Sequence, residues 1–304
     1  MIKESNFSIK WLAALLVMVM AASASLTQST HAADTGEGTE KITLSPSSRT
    51  LKEDAGNDIS GTMKVINDGD VAYDFTVYAR PYSVTGEQYN PDFTANKSNT
   101  DLYKWVRFEK TKYSIEPGQT VEVKYMILIP KAAAPGGHYG VLFAETQARD
   151  LASTGVARQK RVGKVIYATV NGEYKITGAF KEFILPFWQN RAPMISSARV
   201  ENTGNVDFRA TVTTTAKDLF GQTKFSYTGD PIVLPDTTRL IEMNWQDAPN
   251  FGLFRVSQSV AFLDQKQQSS SFVLIAPKWA LVVLIVMLSA GAAYAVLQRR
   301  TNRR

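Results

Sequence analysis

The sequence predicts an all-β protein, two tandem Ig-like β-sandwiches followed by one C-terminal transmembrane helix. Three observations predict it. Apolar residues recur at alternate positions through residues 40–275, one hairpin-like segment repeats at an offset of 135 residues, and Trp279 to Leu297 is a nineteen-residue run without a charge.

At 304 residues and 44% hydrophobic content the chain can bury the cores of two ordinary domains. Its formal charge is +6, but the last six residues carry a net +4 and the first ten a net +1. The middle of the chain is therefore close to neutral. A nucleic-acid binder needs a basic face on its folded part, so no nucleic-acid partner is expected. There is no cysteine. That excludes disulfides, thiol nucleophiles and cysteine–zinc sites.

Residues 1–33 have the three parts of a secretory signal peptide. Lys3 and Lys10 precede the apolar stretch Trp11 to Ala22, and the polar segment after it ends in small residues. Cleavage after Ala32 puts Thr30 and Ala32 at the small-residue positions, with Ala24 and Ala33 as alternatives. As a helix, the twelve apolar residues would reach only about 18 Å, short of a hydrocarbon core roughly 30 Å thick. Cleavage is expected rather than anchoring.

Strand signals follow. Val71, Tyr73, Phe75, Val77 and Ala79 alternate with Ala72, Asp74, Thr76 and Tyr78. Val121, Val123, Tyr125, Ile127 and Ile129 alternate with Glu122, Lys124, Met126 and Leu128. Period two marks strands with one buried face, and turns about every ten residues favour sandwiches. The repeat sets the domain count. VINDGDVAYDFTV at 65–77 and VENTGNVDFRATV at 200–212 match at Val65/Val200, Asn67/Asn202, Gly69/Gly204, Val71/Val206 and Val77/Val212. Each reads as a strand ending in an Asn-x-Gly turn, with Asn bonding its own backbone and Gly taking positive φ. Two similar sandwiches are expected, 40–172 and 173–275. In the first, Ile115-Glu116-Pro117-Gly118-Gln119 is a tight turn into a strand at 120–130. Pro130 to Gly137 is a rigid connection into a strand at His138–Thr146. Residues 83–104 form a long polar insertion of the kind that carries binding, or is merely tolerated.

Trp279 to Leu297 spans about 28 Å as a helix, enough for a bilayer. Trp279 and Tyr294 stand near its ends, and residues 298–304 form a basic tail with Arg299, Arg300, Arg303 and Arg304. The expected placement is a cell-membrane, single-pass protein, its N-terminal portion extracellular and its C-terminus cytoplasmic.

Signal, two sandwiches, helix and basic tail, in that order, resemble the WxL-interacting proteins of bacterial cell surfaces. The Asn67 hairpin, Gly86 and Tyr89, the Ile115-Glu116-Pro117-Gly118 turn, Ile129-Pro130 and Gly136-Gly137-His138-Tyr139-Gly140 carry the resemblance. It implies a peptidoglycan-binding Ig-like domain before a second Ig-like domain. It implies as partners a cell-wall polymer or another surface protein. The first domain is also similar to periplasmic pilus chaperones, which implies an assembly chaperone for pilus-like subunits.

Little points to catalysis. Outside the signal, His138 is the one histidine, and triads and histidine metal sites centre on that residue. Carboxylate pairs for glycoside hydrolysis remain open, with Glu145, Asp150, Glu173 and Glu182 as candidates. The oxygen-rich stretches Asp54, Asn57, Asp58 and Asn67, Asp68, Asp70 lack EF-hand spacing and read as turns. No enzyme and no cofactor is expected. Residues 158–181 are basic, carrying Arg158, Lys160, Arg161, Lys164, Lys175 and Lys181 against Glu173 alone. Arg158, Lys160, Arg161 and Lys164 are the candidate residues for an anionic polymer. The alternative is a strand edge that uses charge to block unwanted pairing. An extended partner segment could also add to an exposed sheet edge.

Overall fold

The computed structural model describes residues 39–150 and 157–301. The first group of strands is β1 (Ile42–Ser45), β2 (Ser48–Glu53), β3 (Asp58–Asn67), β4 (Tyr73–Pro81), β5 (Ser83–Thr85), β6 (Asn90–Asp92), β7 (Val106–Phe108), β8 (Lys112–Ile115), β9 (Thr120–Leu128), β10 (Gly136–Thr146), β11 (Arg149–Asp150), β12 (Ala157–Arg158) and β13 (Arg161–Val170). The second is β14 (Gly178–Ile184), β15 (Trp188–Gln189), β16 (Met194–Asn202), β17 (Phe208–Arg209), β18 (Thr211–Lys217), β19 (Thr223–Gly229), β20 (Ile232–Val233), β21 (Thr237–Trp245), β22 (Gly252–Phe262) and β23 (Gln265–Ile275). Among the described residues one α-helix, α1, covers Lys278–Thr301. The protein is all-β, as the alternation predicts.

In the first group a four-stranded sheet, β1-β3-β9-β7, faces a five-stranded sheet, β2-β13-β10-β4-β8. Alternate residues fill the space between them: Met63 and Val65, Phe75 and Val77, Val123, Tyr125 and Ile127, Leu142 and Ala144. The inward residues of β4 and β9 are those the sequence pattern selects, because a pleated strand sends successive side chains to opposite faces. Burying each large apolar side chain stabilises by about 1.5–3 kcal/mol. In the second group the sheets are β14-β16-β21 and β15-β23-β22-β18-β19. Phe208 stacks on Phe262 with ring centroids 5.5 Å apart, and Trp245 packs against Phe225 at 5.5 Å and Phe254 at 5.2 Å.

The repeated turn is one structure built twice. Asn67 Oδ1 accepts from Gly69 N at 3.0 Å while its Nδ2 donates to Val71 O at 2.8 Å. Asn202 Oδ1 accepts from Gly204 N at 2.9 Å while its Nδ2 donates to Val206 O at 2.9 Å. The expectation of positive φ at the glycine is corrected at both Gly69 and Gly204, neither of which has positive φ; Gly204 is needed for another reason. Its requirement is close approach: a Cβ there would stand 2.3 Å from Lys175 O. Positive φ belongs to Gly118, at 72°, in the turn closed by Gln119 N donating to Glu116 O at 3.1 Å. Pro117 before it presets the first half of that turn.

The polar insertion is ordered. β5 and β6 pair as a hairpin and Ser98–Lys104 forms a 3-10 helix whose Leu102 packs into the core between the sheets. Phe93 meets Phe143 of β10 edge-on at 4.9 Å. The hairpin also reaches the second group of strands. Leu240 N donates to Glu87 O at 2.8 Å, Leu234 N donates to Tyr89 Oη at 2.9 Å, and Arg199 Nε donates to Glu87 Oε2 at 2.8 Å. Tyr139 Oη donates to Asp207 Oδ1 at 2.9 Å and accepts from Asp207 N at 3.0 Å. Buried Val84, Tyr139 and Leu234 pack into one cluster with Tyr82, Tyr89, Tyr167 and Ile232. The junction is therefore packed and hydrogen-bonded.

One expectation is overturned. The helix after Lys278 forms, but among the described residues no helix is long and apolar enough to cross a membrane. The expected single-pass anchor, with its outside-to-inside orientation and membrane partner, is not supported. The strongly apolar part of α1 is Leu281 to Leu288, about 12 Å at 1.5 Å per residue against roughly 30 Å of hydrocarbon. Ser289, Ala290, Gly291, Ala292 and Ala293 follow it. The signal peptide expected at 1–33 lies outside the described residues.

Candidate functional site

The basic segment of the sequence becomes β12 and β13. β13 pairs with β10 along its whole length, from Arg161 opposite Glu145 to Val170 opposite Gly136. On its other side β2 runs parallel to it, but only from Ser48 opposite Val165 to Glu53 opposite Val170. The chain switches sheets at this place: β1 belongs to the four-stranded sheet and β2 to the five-stranded one, with Pro46 between them. Hydrogen bonds fix which backbone groups face the edge. Val165 N donates toward β2, to Ser47 O at 3.0 Å, and Thr146 N donates to Lys160 O at 2.9 Å from the β10 side. Backbone groups alternate in direction along a strand, so those of Arg161 and Gly163 face the β2 side. Among the described residues no strand pairs with them there.

The four candidate cations do not form one patch. Arg158 lies on β12, which pairs with β11. Lys160 turns its ammonium to Glu40 O. Arg161 is exposed on the outer face, its guanidinium over Phe143 at 4.5 Å and Phe93 at 5.6 Å, and its Nη1 3.5 Å from Tyr78 Oη. The hydrogen bond to the Tyr78 hydroxyl holds the Arg161 pKa above its ordinary value. Lys164 points the opposite way, into the sandwich, and is 2% exposed. Its Nζ donates to Thr62 O at 3.0 Å and lies 5.7 Å from the Tyr125 ring centre. The sequence could not separate these roles until the register of β13 was known, since neighbouring residues take opposite faces.

A second inward cation stands beside Lys164, and sequence reasoning missed it. Arg49 of β2 donates from Nη1 to Ser60 O at 3.0 Å and approaches Tyr125 Oη at 3.4 Å. Burial, and then the positive charge of Arg49, push the Lys164 pKa below its ordinary value. Neither cation forms an ion pair among the described residues. Along this side of the sandwich two cations bridge carbonyls of β3 where a continuous strand would otherwise close the gap. A lone arginine in SRTLKE carries no sequence signal of its own; only the strand switch brings it to β13.

His138 is a structural tie. Nδ1 lies 2.9 Å from Asp101 Oδ1, Nε2 lies 2.8 Å from Ala134 O, and the ring packs 4.6 Å from Trp105. It holds the 3-10 helix and the loop before β10 against the sheet. The oxygen-rich stretches are also used internally: Asp54 Oδ1 accepts from Asn171 Nδ2 at 2.7 Å, and Asp68 Oδ2 accepts from Thr43 Oγ1 at 2.5 Å.

No family model matches the chain, and no curated protein matches it. Solved structures do. The class 5 fimbriae chaperone CfaA is 12% identical, covers 78% of this chain and 100% of its own, and superposes with a TM-score of 0.38. The Escherichia coli chaperone DraB is 10% identical, with 76% and 98% covered and a TM-score of 0.38. The CsuC–CsuE chaperone–tip adhesion subunit complex of Acinetobacter baumannii is 12% identical, with 76% and 97% covered and a TM-score of 0.37. These likenesses are to pilus chaperones, and no comparison matches the chain to the WxL-interacting proteins. At this identity and TM-score the likeness fixes neither activity nor partner.

Proposed function

We propose that this chain is a non-enzymatic holding protein that pairs an extended segment of another surface protein against the open edge of β13, as an assembly chaperone holds a subunit. The observation that carries this reading is that no strand among the described residues pairs with the backbone of Arg161 and Gly163, next to the point where β2 begins. A strand edge offers main-chain donors and acceptors to any extended segment, while the side chains beside it select the sequence. Arg49 and Lys164 support the reading, because two inward cations with no acidic partner among the described residues favour a segment that brings a carboxylate to that end of the edge. The packed junction supports it too, since a rigid frame loses less entropy on binding.

The test is site-specific crosslinking on the full chain. A photoreactive residue replaces exposed Gln159, beside the open edge, and in a control replaces exposed Lys112 on β8, the opposite edge of the same sheet. Adducts to a secreted protein from position 159 and not from 112 are expected. Equal yields at both positions, or none at 159, overturn the reading. A second reading is a surface scaffold that binds wall polymer or another surface protein and stays in the finished layer. The insertion is the surface that such a scaffold would use, since long ordered loops on a rigid sandwich are where binding usually lies. A chaperone is absent from the mature surface layer, whereas a scaffold is recovered with it.

A further inference from the structure

The insertion and the outer face of the five-stranded sheet enclose a second feature, separate from the edge pairing. A cleft of about 840 Å³ is lined by Arg80, Pro91, Asp92, Phe93, Tyr103 and Arg161, among others. That volume falls in the range of small-ligand sites, roughly 300–1,000 Å³. The cleft exists because the insertion is pinned at two places. Phe93 packs on Phe143 and lies 6.3 Å from Tyr82, while buried Leu102 fixes the 3-10 helix that carries Tyr103.

Two guanidinium groups reach this cleft, and neither forms an ion pair among the described residues. Arg161 lies against the Phe143 and Phe93 rings, and Arg80 lies 5.4 Å from the Tyr78 ring centre. Stacking on aromatic rings fixes a guanidinium plane while leaving its N–H fork for a planar or tetrahedral anion. Tyr78 donates to Glu145 and accepts from Arg161 Nη1 at 3.5 Å, which leaves the rest of the Arg161 fork and the fork of Arg80 to the cleft. Asp92 lies on the opposite wall and is tied into its own turn. Its Oδ1 accepts from Thr94 N and Thr94 Oγ1, both at 2.8 Å. The walls thus combine two fixed cations, an acidic acceptor, the hydroxyls of Thr85 and Thr94, and aromatic rings.

From this combination we infer that the cleft binds a short acidic oligosaccharide, its carboxylate or phosphate on Arg80 and Arg161, a sugar face on Phe93 or Tyr103, and its hydroxyls on Asp92. An acidic peptide would answer to the arginines but would leave Asp92 repelling it and the aromatic walls without a flat partner. The inference does not depend on the edge of β13: Arg80 belongs to the cleft alone, so the two readings fail separately.

The test is calorimetric titration of the full chain with four probes: tetragalacturonate, maltotetraose phosphate, neutral maltotetraose and poly-glutamate. Binding of tetragalacturonate or maltotetraose phosphate, at least tenfold tighter than neutral maltotetraose and weakened at least tenfold in Arg80→Gln and in Phe93→Ala, is the expected result; which probe binds identifies a carboxylate- or phosphate-bearing source. Arg80→Lys keeps the charge but loses the fork, and is expected to weaken binding several-fold. Lys112→Gln, a distant surface cation, is expected to change nothing, and the thermal midpoint of Arg80→Gln is expected to match the parent. No binding of either acidic sugar at millimolar concentration overturns the inference. So does affinity unchanged in Arg80→Gln, or poly-glutamate bound as tightly as the sugars.

Discussion

Replacing the two equivalent asparagines by alanine separates a shared turn from its surroundings. Asn67 and Asn202 are both buried, at 0% and 1% exposure, and each ties a turn with one accepted and one donated bond. Asn202 makes a third, from Nδ2 to Val233 O at 2.9 Å, which fastens the turn to β20. A hydrogen bond contributes about 1 kcal/mol net, and a buried group left without a partner costs about 1–3 kcal/mol. On that basis Asn67→Ala loses about 2–4 kcal/mol and Asn202→Ala about 3–5 kcal/mol, with an excess near 1 kcal/mol for the third bond. Urea denaturation followed by tryptophan fluorescence distinguishes the two. Trp105 reports on the first pair of sheets, and Trp188 and Trp245 on the second. If unfolding shows two transitions, each variant is expected to shift the one reported by its own tryptophans. Equal losses at the two sites, or losses below about 0.5 kcal/mol at both, would refute the assignment of the turn to side-chain hydrogen bonding.

Two further outcomes concern buried ionisable groups. Lys164→Met keeps the packed stem and removes a buried cation, so its stability at neutral pH is expected near that of the parent, whereas Lys164→Ala loses about 3 kcal/mol of methylene burial. Because burial lowers the Lys164 pKa, the parent's contribution from this group is present above the unfolded value and lost as pH falls through the folded one. The stability of Lys164→Met relative to the parent therefore rises as pH falls from 11 to 8, reaching near parity at neutral pH, and a flat difference in urea midpoints would contradict it. Asp207 behaves in the opposite sense: burial raises its pKa, despite the opposing bond from Tyr139. Its stabilising contribution is present below the unfolded value and lost as pH rises through the folded one. Asp207→Asn is expected to gain on the parent between pH 3.5 and 7, which thermal melts across that range would show or exclude.

Strand identity was legible in the chain because a pleated strand imposes period two on any sequence that buries one face. The inward set Tyr73, Phe75 and Val77 and the set Val123, Tyr125 and Ile127 follow from that geometry alone. The Asn67 and Asn202 turns were legible for a similar reason: an Asx turn is closed by atoms within four residues of one another. The role of the glycine was misjudged because Gly204 is demanded by Lys175, which only the folded chain brings near. The helix after Lys278 was also legible, but the absence of charge over nineteen residues does not reveal that the second half of the run turns to small, weakly apolar residues.

What tertiary structure alone decided is the meaning of the charges. Arg161 and Lys164 are three residues apart, yet the pleat sends one to the outer cleft and the other to the interior. Arg49 and Arg80, far from either in sequence, become their neighbours through the sheet switch at β1–β2 and the placement of β4. Local patterns can specify which segments are strands, because that depends on contacts within a few residues. Which cations meet, and which backbone edge stays open, depends on register between strands more than a hundred residues apart, and no local pattern encodes it.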